Sequence, residues 1–198
     1  MIRRTLLCLL LATVPAALGA AESFDAAAFV RRAGNELADI VNQAGSIQDK
    51  RSQLQPFIDR VADVDSVARF CLGRYWRQAT PEQQREYLHL FHAILMRNIL
   101  SRINEERGQA GVHVTINRAE PRDDGYYVAT VVERPDNPPA NVTWVVADES
   151  GTPKIIDVIA EGTSLRLTQR SDYASFLAHN GGSIEALIDA LRAQAQAG

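Results

Sequence analysis

The chain has 198 residues, with 21 Lys and Arg against 24 Asp and Glu, for a formal net charge of −3. That length suits one domain with a sizeable core. The acidic balance argues against a nucleic-acid partner and against tight binding to an anionic membrane surface.

The first residues read as a targeting signal. Met1-Ile2-Arg3-Arg4 is a positive start, Thr5–Leu18 is an apolar run broken by Pro15, and Ala17-Leu18-Gly19 or Gly19-Ala20-Ala21 supplies the small residues of a cleavage site. The segment 1–21 is therefore expected to be a signal peptide and 22–198 a single exported domain, soluble in the periplasm. Losing Arg3 and Arg4 would leave 19 basic against 24 acidic groups, a net charge of −5, which favours solubility and easy release. Cys8 would leave with the signal. Cys71 would then stand alone, with no disulfide partner, on an apolar stripe with Val67, Phe70 and Tyr75. That setting predicts a buried, inert thiol. No later stretch is long and apolar enough to span a bilayer.

Helical periodicity then runs to about residue 107. Ala26, Phe29, Val30, Ala33, Leu37, Ile40, Val41 and Ala44 keep a 3.6-residue period behind a Ser23 or Asp25 cap, and Gly45-Ser46 stops the run. Leu54, Phe57, Ile58 and Val61 predict a shorter second helix, with Pro56 in its first turn or at a bend. Asp63 or Asp65 starts a third, which Gly73 ends or interrupts. Thr80-Pro81-Glu82-Gln83 is a strong start signal for a long helix reaching about Glu106, roughly 39 Å at 1.5 Å per residue. Leu88, Phe91, Leu95, Ile99 and Ile103 form one apolar stripe on it, with Tyr87, Leu90 and Ile94 beside them.

The period then switches to two. Four strands are expected around Val112–Ile116, Tyr126–Val132, Val142–Val146 and Ile155–Ile159, separated by turns at Pro121–Gly125, Pro135–Pro139 and Ser150–Pro153. The spacing is that of an antiparallel meander. Paired apolar residues such as Tyr126-Tyr127, Val131-Val132 and Val145-Val146 occupy both faces, so something apolar must cover part of each. After Gly162 the helices resume, one capped by Ser171 and closed by Asn180-Gly181-Gly182, the last capped by Ser183.

The chain offers little chemistry. His89 and His92 are three apart on the long helix, but no further group is positioned to complete a metal site, and His113 and His179 stand alone. Asp157 lies between Ile156 and Val158 in an apolar strand. Such a carboxylate could serve as a general base, or it could pair with Arg166 or Arg170 or cap a turn. Ser164 has no G-x-S-x-G context, and no phosphate loop or nucleotide fingerprint occurs. A chain rich in apolar lining and poor in reactive groups is read as a non-enzyme with no catalytic residue, metal or cofactor.

Several ordered pieces carry a resemblance. They are Leu72-Gly73-Arg74-Tyr75-Trp76, Thr80-Pro81-Glu82-Gln83-Gln84-Arg85 leading to Phe91, Lys154–Val158 with Glu161–Leu165, Gln169–Tyr173, and Asn180–Ile184 with Leu187-Ile188. Together they resemble the MlaC family, the periplasmic phospholipid carriers of the Mla lipid-transport pathway, which includes toluene-tolerance and hopanoid-associated proteins. The resemblance implies an α+β fold, with a helical lobe packed on a twisted four-stranded antiparallel sheet of the nuclear-transport-factor or cystatin type. It implies an apolar cavity between them that takes phospholipid acyl chains and leaves the head group near solvent. It implies shuttling between an outer-membrane lipoprotein complex and an inner-membrane MCE-protein ring that works with an ABC transporter. The chain is taken as a monomer. Residues expected to touch lipid are Phe70, Leu72, Tyr75 and Trp76 at the Gly73 corner, and Leu88, Phe91, Leu95 and Ile99 on the long helix. In the sheet they are Tyr126, Val128, Trp144, Ile156 and Val158, with Leu165 after it. The alternatives are a carrier of hopanoid or another polycyclic lipid, a small isomerase-like enzyme using Asp157, and a protein-binding adaptor whose apolar interior is simply core.

Overall fold

Each helix begins where a side chain takes over a backbone donor. The computed structural model describes residues 24–105, 113–134, 137–148 and 152–196. The expected signal peptide lies outside these residues, as do Val112, Pro135 and Ser150-Gly151. Helix α1 spans Ala26–Asn42, and the Asp25 carboxylate accepts from the Ala28 N–H at 2.8 Å. Helix α2 spans Ile47–Val61, longer than the periodicity predicts, with Pro56 in its interior rather than its first turn. The reason is a reciprocal cap at its start: the Asp49 N–H donates to Ser46 Oγ at 3.2 Å, and the Ser46 N–H donates to Asp49 Oδ2 at 2.8 Å. The residues read as a stop are thus also a start.

Lys50 ties α2 back to α1. Its buried ammonium donates to the carbonyls of Ile40 at 3.4 Å, Val41, and Gln43 at 3.0 Å, which the end of α1 leaves without helical partners. Helix α3, Val64–Leu72, is capped by Asp63 and ends at Gly73, whose φ of +59° suits glycine. A Cβ there would also stand 3.3 Å from the Arg170 guanidinium. A 3₁₀ turn, Gly73–Arg77, follows. Helix α4 spans Pro81–Glu105 behind the expected Thr80–Gln83 capping box: the Gln83 N–H donates to Thr80 Oγ1 at 3.2 Å, and the Thr80 N–H donates to Gln83 Oε1 at 3.1 Å.

The sheet has five antiparallel strands in the order β1 (His113–Arg122), β2 (Gly125–Arg134), β3 (Asn137–Ala147), β4 (Lys154–Ala160) and β5 (Thr163–Ser164). The expected count of four is corrected by β5. Two residues are too few to display a period of two. Their signal is instead the turn before them, where Glu161 at φ +47° and Gly162 at φ +81° give the paired left-handed conformation of a tight hairpin. The strands are also longer than periodicity predicts. Pro121 lies within β1, and Pro138 and Pro139 lie within β3, where β4 pairing begins only at Val142. That part of β3 lacks a β4 partner, and its pairing with β2 shifts register opposite the prolines, so the ladder is already interrupted there. β1 is an edge strand, with a register shift between Ile116 and Arg118 and a charged run in which Arg118 and Arg122 flank Glu120 at 3.2 and 3.8 Å.

Helix α5 spans Leu165–His179, and its cap is Ser164, not the expected Ser171. Helix α6 spans Ile184–Gln196, with the Ala186 N–H on Ser183 Oγ at 3.2 Å. Helix α1 packs on β1 and β2, while α3 and α5 pack on β4.

Three apolar clusters result. The first joins α3, α4, α5 and α6 around Tyr87, Leu72, Tyr173, Leu177 and Ile188. The second joins α1, α2 and α4 around Leu54, Phe57, Met96 and Leu100. The third sets Ala26 and Val30 of α1 on Val128 and Val146 of the sheet.

Replacing Lys50 with Met keeps the buried stem but leaves three carbonyls short of a donor. The variant should lose about 1–3 kcal/mol, seen as a lower urea midpoint with an unchanged slope.

Candidate functional site

The expected lipid contacts fall into two groups rather than one. Leu72 and Tyr75 are buried in the first cluster, and Phe70, Trp76, Leu88 and Phe91 pack half-buried against it. In the sheet, Val128 is buried in the third cluster with Tyr126 and Trp144 packed against it. Strand register places Val158 opposite Trp144, which in turn faces Val128, so these four share a face. Ile99 packs against the second cluster. Leu95 and Ile156 are half-buried outside all three. Ile156 is the residue left unpaired where the register shifts between Val145–Asp157 and Val146–Ile155. Leu165 is 53% exposed, at the surface.

Helix α4 carries a particular asymmetry. Tyr87, Leu90 and Ile94 are buried, whereas on the adjoining stripe Leu88, Phe91, Leu95 and Ile99 are only half-buried and Ile103 at its end is buried in the second cluster. The half-buried part runs about 17 Å along the helix, at 1.5 Å per residue.

Two clefts accompany it. One, of about 480 Å³, lies between α1 and α2 and mixes Ile40, Pro56 and Phe57 with Glu36, Asp39, Gln43 and Arg60. The other, of about 310 Å³, is bordered by Asp59, Asp63, Asp65, His92 and Lys154. Neither is bordered by any expected lipid contact, and neither is the expected apolar cavity between helices and sheet, which the described residues do not show.

Several aromatic groups already have partners. Tyr87 donates its hydroxyl to the Ala68 carbonyl at 2.7 Å and rests edge-on against Tyr173, and burial pushes both phenols up from their ordinary pKa. Trp144 donates its ring N–H to Thr130 Oγ1 at 3.1 Å, and that hydroxyl donates to the Val142 carbonyl at 2.8 Å. Phe70 lies against the guanidiniums of Arg166 and Arg170, each 4.7 Å from the ring centroid. No pattern in the sequence marks that stacking, because Phe70 and the two arginines are almost a hundred positions apart.

Asp157 takes the structural role. Its carboxylate accepts from the Val158 N–H at 2.8 Å, Ser164 Oγ at 2.5 Å and the Arg166 N–H at 3.1 Å, and Arg166 Nε stands 3.4 Å away. Arg166 also reaches Asp124 at 3.3 Å. A carboxylate so engaged holds the corner between β4 and α5. His92 pairs with Asp65 at 2.8 Å. Among the described residues no group of three or more His, Cys, Asp or Glu is arranged to hold a metal ion.

Changing Asp157 to Asn leaves Arg166 with only the outer carboxylate. The expected loss is about 3 kcal/mol, at the low end for breaking a buried pair because Asp124 remains, measured by chemical denaturation. Cys71 is buried, and its thiol donates weakly to the Arg166 carbonyl at 3.5 Å. Burial, with Asp157 nearby, raises its pKa from 9.0 to about 12. The unfolded chain therefore binds fewer protons than the folded one across that window. This contribution is complete below about pH 9 and lost as pH rises toward 12. Native protein should resist thiol reagents at pH 8, and Cys71→Ala should flatten the stability decline above pH 9.

Comparison with known proteins places this architecture. A phospholipid-binding protein of Ralstonia solanacearum, solved in complex with a phospholipid, has the same fold, with a TM-score of 0.75 at 23% identity over 87% of this chain and 97% of that one. The family described as MlaC protein matches residues 31–193. That match spans α1 from its sixth residue, the whole sheet and nearly all of α6, so the chain belongs to the MlaC family.

Proposed function

We propose that the chain is a periplasmic phospholipid carrier that holds acyl chains against the partly exposed stripe of α4 and exchanges its cargo with membranes. The observation that carries this reading is the stripe itself. Leu88, Phe91, Leu95 and Ile99 remain half-buried along about three turns of a helix whose neighbouring stripe is packed. A contiguous apolar strip left partly wet on a folded domain marks a binding surface. Membership of the MlaC family and the phospholipid in the Ralstonia structure agree with it. Phe70, Leu72, Tyr75 and Trp76 would border one end of the chains. Tyr126, Val128, Trp144, Ile156 and Val158 would border them from the sheet once the apolar layers part.

Energetics shape the rest. A diacyl lipid carries about 30 methylenes, worth roughly 24 kcal/mol against water at about 0.8 kcal/mol each. That exceeds the ceiling of about 18–21 kcal/mol for non-covalent binding, so water is the wrong reference. The cargo leaves a bilayer that is equally apolar. Transfer is then close to neutral, and direction comes from partners. Those partners are an outer-membrane lipoprotein complex on one side and an inner-membrane MCE ring with its ABC transporter on the other. No catalytic step is needed.

Protein purified from its native compartment and then denatured should release a diacyl phospholipid identifiable by mass spectrometry, and stripped protein should recover lipid from vesicles. Release of a polycyclic triterpenoid would instead favour the hopanoid alternative. No lipid in either arm defeats the carrier reading. Leu95→Asp places a charge in mid-stripe at a half-buried site. It should lower lipid uptake at least tenfold, about 1.4 kcal/mol, with the circular dichroism spectrum unchanged.

A further inference from the structure

Among the described residues, the large apolar side chains left more than half exposed are Leu165 at 53% and Leu167 at 55%. Both stand in the first turn of α5, either side of Arg166, whose guanidinium turns inward to Asp157 and Asp124. The cap at Ser164, which accepts from the Leu167 N–H at 3.1 Å, holds the turn rigid.

Two guanidiniums belong to this end of the fold, each with one of its donors already used: Arg170 on the Phe70 carbonyl and Arg74 on the Tyr75 hydroxyl at 3.0 Å. Arg170, three residues beyond Leu167 and so on the same helix face, lies on Phe70 and donates one N–H to the Phe70 carbonyl at 3.1 Å. Its guanidinium also lies 3.3 Å from where a Cβ on Gly73 would stand. The next residue, Arg74, is exposed and stacks 5.0 Å from the centre of the Tyr75 ring. Stacking fixes both groups in place while leaving outward N–H donors unused. The carboxylates of this corner are already engaged: Asp124 and Asp157 by Arg166, and Glu161 by the Asn141 N–H at 2.5 Å. Asp172 is exposed and lies two turns beyond Leu165 on the same stripe of the helix, about 10 Å along its axis, beyond the roughly 8 Å over which its field is screened.

We infer that the Leu165–Leu167 corner is a peg on which the carrier rests at a bilayer surface bearing anionic phosphates. The inference deepens the carrier reading and rests on it. Leucines beside guanidiniums match the layering of a lipid interface, with apolar chains below phosphate acceptors. Two half-exposed leucines offer far less than the roughly 800 Å² per side of a stable protein complex, so the corner suits brief adhesion to a surface that needs no preformed pocket. The overall negative charge does not cancel it, because fields at an exposed site decay within about 8 Å at physiological salt.

Full-length mature protein would be sedimented with vesicles of phosphatidylethanolamine and phosphatidylglycerol, and separately with phosphatidylcholine alone. Wild type should favour the anionic vesicles at low salt. Leu167→Asp, at an exposed first-turn position that tolerates an acidic residue, should reduce that partitioning at least tenfold. Arg74→Gln with Arg170→Gln should abolish the preference for anionic vesicles and its salt dependence. Unchanged partitioning of folded Leu167→Asp, or no partitioning by wild type, overturns the peg. Lipid extracted from the same preparations is read separately. Cargo retained by Leu167→Asp while adhesion is lost supports the peg, whereas lipid absent from wild type strikes at the carrier reading alone.

Discussion

Asp157 sits where β4, β5 and the start of α5 meet, and its carboxylate takes donors from all three. Everything C-terminal to the sheet is oriented by that group. Ser164 is both its partner and the cap of α5, so the turn that makes β5 also sets the direction of the helix. Arg166 then links the buried carboxylate to Asp124 at the β1–β2 turn and to Phe70 of α3. One buried charge thus joins the two ends of the meander to the helical lobe. A fully buried ion cluster would be a costly way to add stability. Here the return is a fixed angle between sheet and helices.

That angle decides which apolar surface is packed and which is left over. Cluster one fills the space between α3, α4, α5 and α6, while α1 covers the opposite face of the sheet. Helix α4 passes between them with one stripe saturated and the next only partly covered. An apolar protein interior normally closes on itself. A stripe that stays only partly covered is apolar surface that the folded chain leaves without a full set of packing partners.

Much of this was legible in residue order. The Thr80–Gln83 box and the Asn180-Gly181-Gly182 closure use local chemistry with a fixed spacing, and the structure keeps both; of the alternatives left open it takes Asp25 over Ser23, Asp63 over Asp65, and Gly73 as an end. The pairing of Asp157 with Arg166 was within reach because a lone carboxylate in an apolar strand demands a nearby cation. What was not legible depends on distance in the chain. Phe70 stacks with Arg166 and Arg170, and His92 meets Asp65, through tertiary contacts that no window of sequence contains. Leu165 reads as lining by its neighbours, yet it is exposed because Arg166 takes the inward position. Ser171 looks like a cap, but Ser164 has the free donors of the first turn within reach. The expected enclosed cavity, which the described residues do not show, would depend on how clusters stand apart, and periodicity measures only which side of each element is apolar.

The open margin of the sheet has a consequence for how such a molecule behaves in crowds. β1 exposes an unpaired backbone ladder, yet it is kinked at Asn117, interrupted by Pro121 and studded with alternating charges from Arg118 to Arg122. A second copy approaching that margin would meet a missing donor, a broken register and like charges facing one another. An edge built in this way works against strand-to-strand addition, the first step by which sheets zip into fibres.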